Sequence, residues 1–161
     1  MRPAAAIALA LAATLALAAT LTLSACSDHA PARRETTVTK ADAKKQLVDL
    51  IEVTRKAITA SGWQQIDDGS SGLCHTAAGS DGTYFRYGYR SGPDADTADA
   101  LATVSALWKK HGLHLEPFQS GGTPPIHGVT GTGATVGGTQ FIADPTGLAL
   151  SGTSVCVPNR G

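Results

Sequence analysis

The chain has 161 residues, with 13 Lys and Arg balanced by 13 Asp and Glu, so it carries no basic excess with which to neutralise a phosphate backbone. Nucleic acid is thereby excluded as a partner. The length leaves room for one domain of ordinary size once an apolar leader is set aside, and not for two.

The chain begins with a basic residue, Arg2, and then an apolar run from Ala4 to Leu23 made of Ala, Leu, Ile and Thr. A positive start followed by an apolar stretch is the pattern of a secretory signal peptide. At about 20 residues the run also reaches the length of a spanning helix, so a retained membrane anchor is the rival reading. The predominance of weakly hydrophobic Ala, and an ending in small residues instead of a basic stop-transfer cluster, favour cleavage.

The run closes on Leu23-Ser24-Ala25-Cys26, which resembles the lipobox of bacterial lipoproteins. That resemblance covers the first 26 residues. It implies diacylglycerol on the Cys26 sulfur and peptidase cleavage between Ala25 and Cys26. Two acyl chains give stable attachment where one gives only marginal binding. The Ala, Gly, Thr and Asp richness further on resembles the small surface lipoproteins of actinomycetes.

Three cysteines are present. With Cys26 assigned to lipid by the resemblance, Cys74 and Cys156 remain as a pair suited to an oxidising compartment. A redox or metal-binding role for them lacks any C-x-x-C spacing. The polar stretch after Cys26, with Pro31, Arg33, Arg34 and Glu35, cannot bury a core. It reads as a tether that holds the domain on the order of 20 Å from the lipid surface. The expected organisation is a signal peptide over 1–25, a lipidated cysteine and tether over 26–38, and a single domain over 39–161.

Thr39, with Asp42 three residues on, predicts a helix start, and Leu47, Leu50, Ile51, Thr54 and Ile58 recur at helical spacing. The helix is expected from Lys40 to Ala60 with Gly62 as its cap and a Glu52–Lys56 pair on its polar face. Short strands are predicted at Trp63–Ile66, Leu73–Thr76 and Thr83–Arg90. The separators Asp68-Gly69-Ser70-Ser71-Gly72 and Gly79-Ser80-Asp81-Gly82 have turn chemistry. In the third strand Phe85, Tyr87 and Tyr89 alternate with Tyr84, Arg86 and Arg90, so one face is expected to be buried.

A second helix is expected from Asp94 to His111, acidic in its early turns, basic in its last, and followed by Gly112. The Gly- and Thr-rich remainder offers strands at Leu113–Leu115, Ile126–Gly131, Ala134–Val136, Gln140–Ala143 and Leu148–Val157. Asp144-Pro145-Thr146-Gly147 is a hairpin signal, and Gly152 a candidate bulge. Runs of strands broken by two helices do not alternate as a parallel fold requires. The expected class is α+β, a two-layer sandwich of two helices on an antiparallel sheet with one disulfide.

Catalytic motifs are missing: no G-x-S-x-G occurs, and the glycines Gly128, Gly131, Gly133, Gly137 and Gly138 have no confident helix after them to make a phosphate loop. His111 and His114 form an H-x-x-H pair with Glu116 close by, a candidate metal site only if His75 or His127 supplies a third ligand. His111 equally suits a helix C-terminus. Trp63, Trp108, Phe118 and the tyrosines line either a ligand cleft or the core, and Arg86 with Arg90 offers a surface for an anion or a polar partner. No cofactor is called for. These features indicate a noncatalytic, lipid-anchored protein on the extracytoplasmic face of the bacterial cell membrane, held there through Cys26, with an envelope protein or a small ligand as partner. The alternative is a carrier of a small molecule or metal at the membrane surface.

Overall fold

In the computed structural model, which describes residues 38–93 and 96–159, the Thr39 hydroxyl accepts the Asp42 backbone N–H at 3.1 Å and so caps helix α1, Lys40–Ala57. The buried stripe is Ala43, Leu47, Leu50, Ile51 and Thr54, the spacing expected for one face of a helix against a core. The helix stops earlier than Ala60. Ile58 turns extended, with φ −97° and ψ 129°, and its β-branched side chain is buried in the core, so Gly62, at φ +67°, serves the following loop and not the cap. The expected Glu52–Lys56 pair is replaced by Glu52 with Arg55 at 2.8 Å.

A single edge strand, β1 (Gln64–His75), replaces the two strands expected before and after Asp68-Gly72. Its partner β2 (Asp81–Arg90) runs beside it along most of that length, with register shifts between Gln65 and Asp67 and between Asp68 and Ser71. The turn residues are absorbed as bulges: Gly69 takes φ +86°, and the Asp68 carboxylate accepts the Ser70 N–H at 3.0 Å. Local turn chemistry here kinks a strand instead of reversing the chain.

Helix α2 spans Thr97–Lys110, with the Asp96 carboxylate accepting the N–H groups of Ala98 and Asp99 at 3.1 and 3.0 Å. It is shorter than expected at both ends; residues 94 and 95 lie outside the described ones, and His111 is the C-cap. Next come β3 (His114–Ser120), β4 (Ile126–Thr132), β5 (Val136–Asp144), β6 (Gly147–Ser154) and the two-residue β7 (Val157–Pro158). Strand β5 takes in the strand expected at Gln140–Ala143 but only the last residue of the one expected at Ala134–Val136, since Ala134 and Thr135 lie in the bend before it. Its bulge lies between Val136 and Gly138, while the pairing of β6 runs through Gly152 without a break. The strand expected over Leu148–Val157 divides after Ser154, because Val157 and Pro158 pair with Thr83 and Gly82 of β2. Asp144–Gly147 closes the β5–β6 hairpin as expected, and Gly147 sits at φ +137°, where an added Cβ would meet the Ser91 carbonyl at 2.4 Å.

All strand pairs are antiparallel, in the order β1-β2-β6-β5-β4-β3, with β7 beside β2. The fold is α+β: two helices packed against this sheet, with one disulfide. Trp108, Phe141, Leu47, Ile51, Leu148, Leu150 and Val104 are fully buried between them. Cys74 and Cys156 are bonded, with Cα atoms 6.1 Å apart, so the bridge joins the edge strand to the segment between β6 and β7. Gly82 lies directly beneath it, since an added Cβ would fall 2.6 Å from the Cys156 sulfur. Among the described residues no helix is long and apolar enough to cross a membrane. The apolar leader, Ala25, Cys26 and the tether, apart from its last residue, lie outside the described residues.

Candidate binding face

Strand alternation sorts the central sheet residues into two sets. The helix side carries one paired row, Tyr89, Leu150, Phe141 and Val129, of which the last three are buried. The opposite side carries Gly88, Ser151, Gln140, Thr130 and Glu116, again paired in sequence across five strands. Beside it on that face run Arg90, Ala149, Ile142, Gly128 and Phe118 on one flank, and Arg86, Thr153 and Gly138 on the other. This opposite face holds an open groove of about 310 Å³ lined by Asp67, Arg86, Thr130, Thr132, Gln140 and Ser151 among others.

The glycines shape this surface. A Cβ on Gly128 would fall 2.3 Å from the Phe118 ring, and one on Gly72 would fall 2.6 Å from the Tyr84 ring, so each aromatic lies across a glycine of the neighbouring strand. Phe118 and Tyr84 therefore flank the open face, whereas Trp108 is fully buried and Trp63, Tyr87 and Tyr89 pack against the core from its margin. The sequence-predicted aromatic group is thus split between core and open face and does not form one cleft. Arg86 and Arg90 do lie on the face opposite Phe85, Tyr87 and Tyr89, and Arg86 Nε stands 3.7 Å from Asp67.

Helix-side polar groups are engaged. Trp108 Nε1 donates to Thr54 Oγ1 at 2.9 Å, and Thr54 donates to the Leu50 carbonyl at 2.7 Å. Glu52 accepts from the hydroxyls of Tyr87 at 3.0 Å and Tyr89 at 2.6 Å, while its other oxygen accepts from Arg55. The Arg55 guanidinium also lies over the Tyr89 ring, 4.9 Å from its centroid. Burial pushes the Glu52 carboxyl up, but bonds from Tyr89, Arg55 and Tyr87 outweigh it and hold the group below its ordinary value. The bond to Glu52, with that to Tyr87 and burial, drives the Tyr89 phenol well above its own. This cluster clamps α1 to β2. Both carboxylate oxygens are occupied, so it has no free acceptor for acid–base chemistry.

The four described histidines stand in four separate places. His111 caps α2 and borders a second groove, of about 330 Å³, with Gln46, Asp49, Leu50, Val53 and Leu113; the Gln46 Oε1 is buried, with no hydrogen-bond partner among the described residues. His114 starts β3, its Nε2 3.9 Å from Glu116. His75 Nδ1 stands 3.2 Å from Asp81, and His127 is exposed on β4. Among the described residues no three His, Cys, Asp or Glu side chains stand together as a metal site. The open-face row was hidden at the level of sequence because its members come from five separate segments; the only signal was the small polar residue at alternate positions of weak, Gly-rich strands. No family model matches the chain, and neither a curated protein nor a solved structure matches it.

Proposed function

We propose that the protein is a noncatalytic, lipid-anchored lipoprotein of the bacterial cell envelope, whose domain binds its partner on the open sheet face. The observation that carries the anchor is the cysteine assignment. Cys74 and Cys156 are bonded to each other, which leaves Cys26, at the end of an apolar run and behind Leu23-Ser24-Ala25, as the remaining cysteine of the three. On this reading residues 1–25 are a signal peptide, 26–38 the lipidated cysteine and its tether, and 39–161 a two-layer sandwich. The helices form one layer and the sheet the other, facing the extracytoplasmic space above the membrane.

Palmitate labelling tests the anchor. The wild-type protein is expected to take up label and to be removed from intact cells by protease shaving. The Cys26→Ala variant is expected to lose the label. Wild-type protein that takes up no label yet stays in the membrane fraction identifies the apolar run as a retained helix and overturns the lipid anchor.

A second reading, a small-molecule carrier, rests on the groove of about 330 Å³ bordered by His111, Gln46, Leu50 and Leu113. Native mass spectrometry of the protein as purified separates the two readings by finding or failing to find a retained ligand.

A further inference from the structure

We infer that the open sheet face is a platform for a neutral, hydroxyl-rich glycan chain. The inference rests on the reading of that face as the binding surface and adds the chemistry of what it binds. Three features converge. First, the hydrogen-bonding groups there are little engaged by the fold: among the described residues the Gln140 amide and the hydroxyls of Ser151 and Thr132 have no side-chain hydrogen bond, while Thr130 and Thr153 make only long ones, of 3.3 Å to the Glu116 carbonyl and 3.5 Å to the Gly138 carbonyl. On the helix side, by contrast, Thr54, Thr139, Trp108 and Ser154 are all bonded. An amide and hydroxyls together present both donors and acceptors, as sugar hydroxyls require.

Second, the charges on the face are few and of both signs. Arg86 Nε faces Asp67 at 3.7 Å, Glu116 has His114 Nε2 3.9 Å away, and Arg90 lies in the row beside that of Glu116. A surface of this kind lacks the one-signed field that captures a polyanion or a cationic peptide. Third, the polar row lies beside an apolar one, Ala149, Ile142 and Phe118 across Gly128, two residues along each strand and hence about 7 Å away. A pyranose ring has the matching split, with C–H groups on its face and hydroxyls at its edge. Neighbouring strands lie about 4.8 Å apart, so Ser151, Gln140 and Thr130 recur at close to the length of one sugar unit along a chain crossing the strands. A protein partner would instead favour an apolar core with several aromatic anchors.

Calorimetric titration of the full-length protein in detergent micelles, with β-1,4-linked glucose, β-1,4-linked N-acetylglucosamine and α-1,6-linked mannose tetramers as probes, tests the inference. At least one tetramer is expected to bind, with Gln140→Ala weakening it about tenfold, the loss of one to two hydrogen bonds, and Ser151→Trp abolishing it by filling the groove. Unchanged melting temperatures for both variants establish that they fold. Binding that survives both substitutions overturns the location, and no binding of any tetramer overturns the glycan class. A photo-crosslinker at Gln140 in intact cells then separates the two levels: a protein adduct keeps the face and replaces the ligand, whereas no adduct removes the binding face as well.

Discussion

Trp108 shows how one buried polar atom constrains its neighbours. Its indole N–H has a single partner, the Thr54 hydroxyl, which in turn donates a hydrogen bond to the Leu50 carbonyl, so two helices are joined by a relay through a fully buried threonine. Thr54→Val keeps the shape and removes the relay. It is expected to cost about 1 to 3 kcal/mol, the penalty for orphaning a buried donor, read by chemical denaturation. The Glu52 cluster makes a pH prediction. Its carboxyl titrates lower in the folded than in the unfolded chain, so its stabilisation is complete above the ordinary carboxylate range and is lost as pH falls through the lowered value. The Tyr89 phenol titrates higher in the folded chain, so its contribution is complete below the ordinary phenol range and declines as pH rises past it. Glu52→Gln is expected to lower stability by about 1 to 3 kcal/mol at neutral pH and to flatten the fall in melting temperature on both flanks. The apolar stripe of α1 and the parity of Tyr87 and Tyr89 are legible in the sequence. The cluster is not, because helical spacing offers Glu52 a partner at Lys56, and only docking against β2 sets the tyrosine hydroxyls above it.

At the scale of elements, the edge strand β1 marks the limit of local reading. Asp68-Gly69-Ser70-Ser71-Gly72 has the composition of a turn, and composition does not distinguish a reversal from a pair of bulges. The deciding factor is the partner strand, since β2 runs alongside on both sides of the irregularity. The hairpin at Pro145-Thr146 was legible because its two strands are adjacent in sequence and their hydrophobic faces already agree in parity. The Cys74–Cys156 bridge spans 82 residues, a separation for which chain entropy predicts about 4 kcal/mol as an upper figure. Reductant is expected to lower the denaturation midpoint markedly, and Cys74→Ser is expected to reproduce the reduced midpoint and to be insensitive to reductant. An equal midpoint with and without reductant would remove the bridge from the account of stability.

For the whole molecule, class and element content were legible and strand order was not. Two helices, a meander before the second and a longer set of strands after it can be read from periodicity and turn residues. Which early strand meets which late one depends on five pairs between Arg86–Arg90 and Ala149–Thr153, residues whose alternation is compatible with other neighbours. For the same reason the open-face row became visible only once the register was known. That order has a kinetic meaning. The β1–β2 hairpin and the β3 to β6 meander each form from strands consecutive in the chain, and the sheet becomes continuous only where β2 meets β6 across α2 and three intervening strands. Pairings of such long sequence separation come late, because the loop must close before its contacts repay the cost. The molecule therefore assembles as two locally folded halves and one seam, and the disulfide reaches across that seam. Once oxidised, an unfolded chain keeps its two halves within reach of each other, so the step that limits assembly becomes the docking of neighbours instead of a search between distant ends.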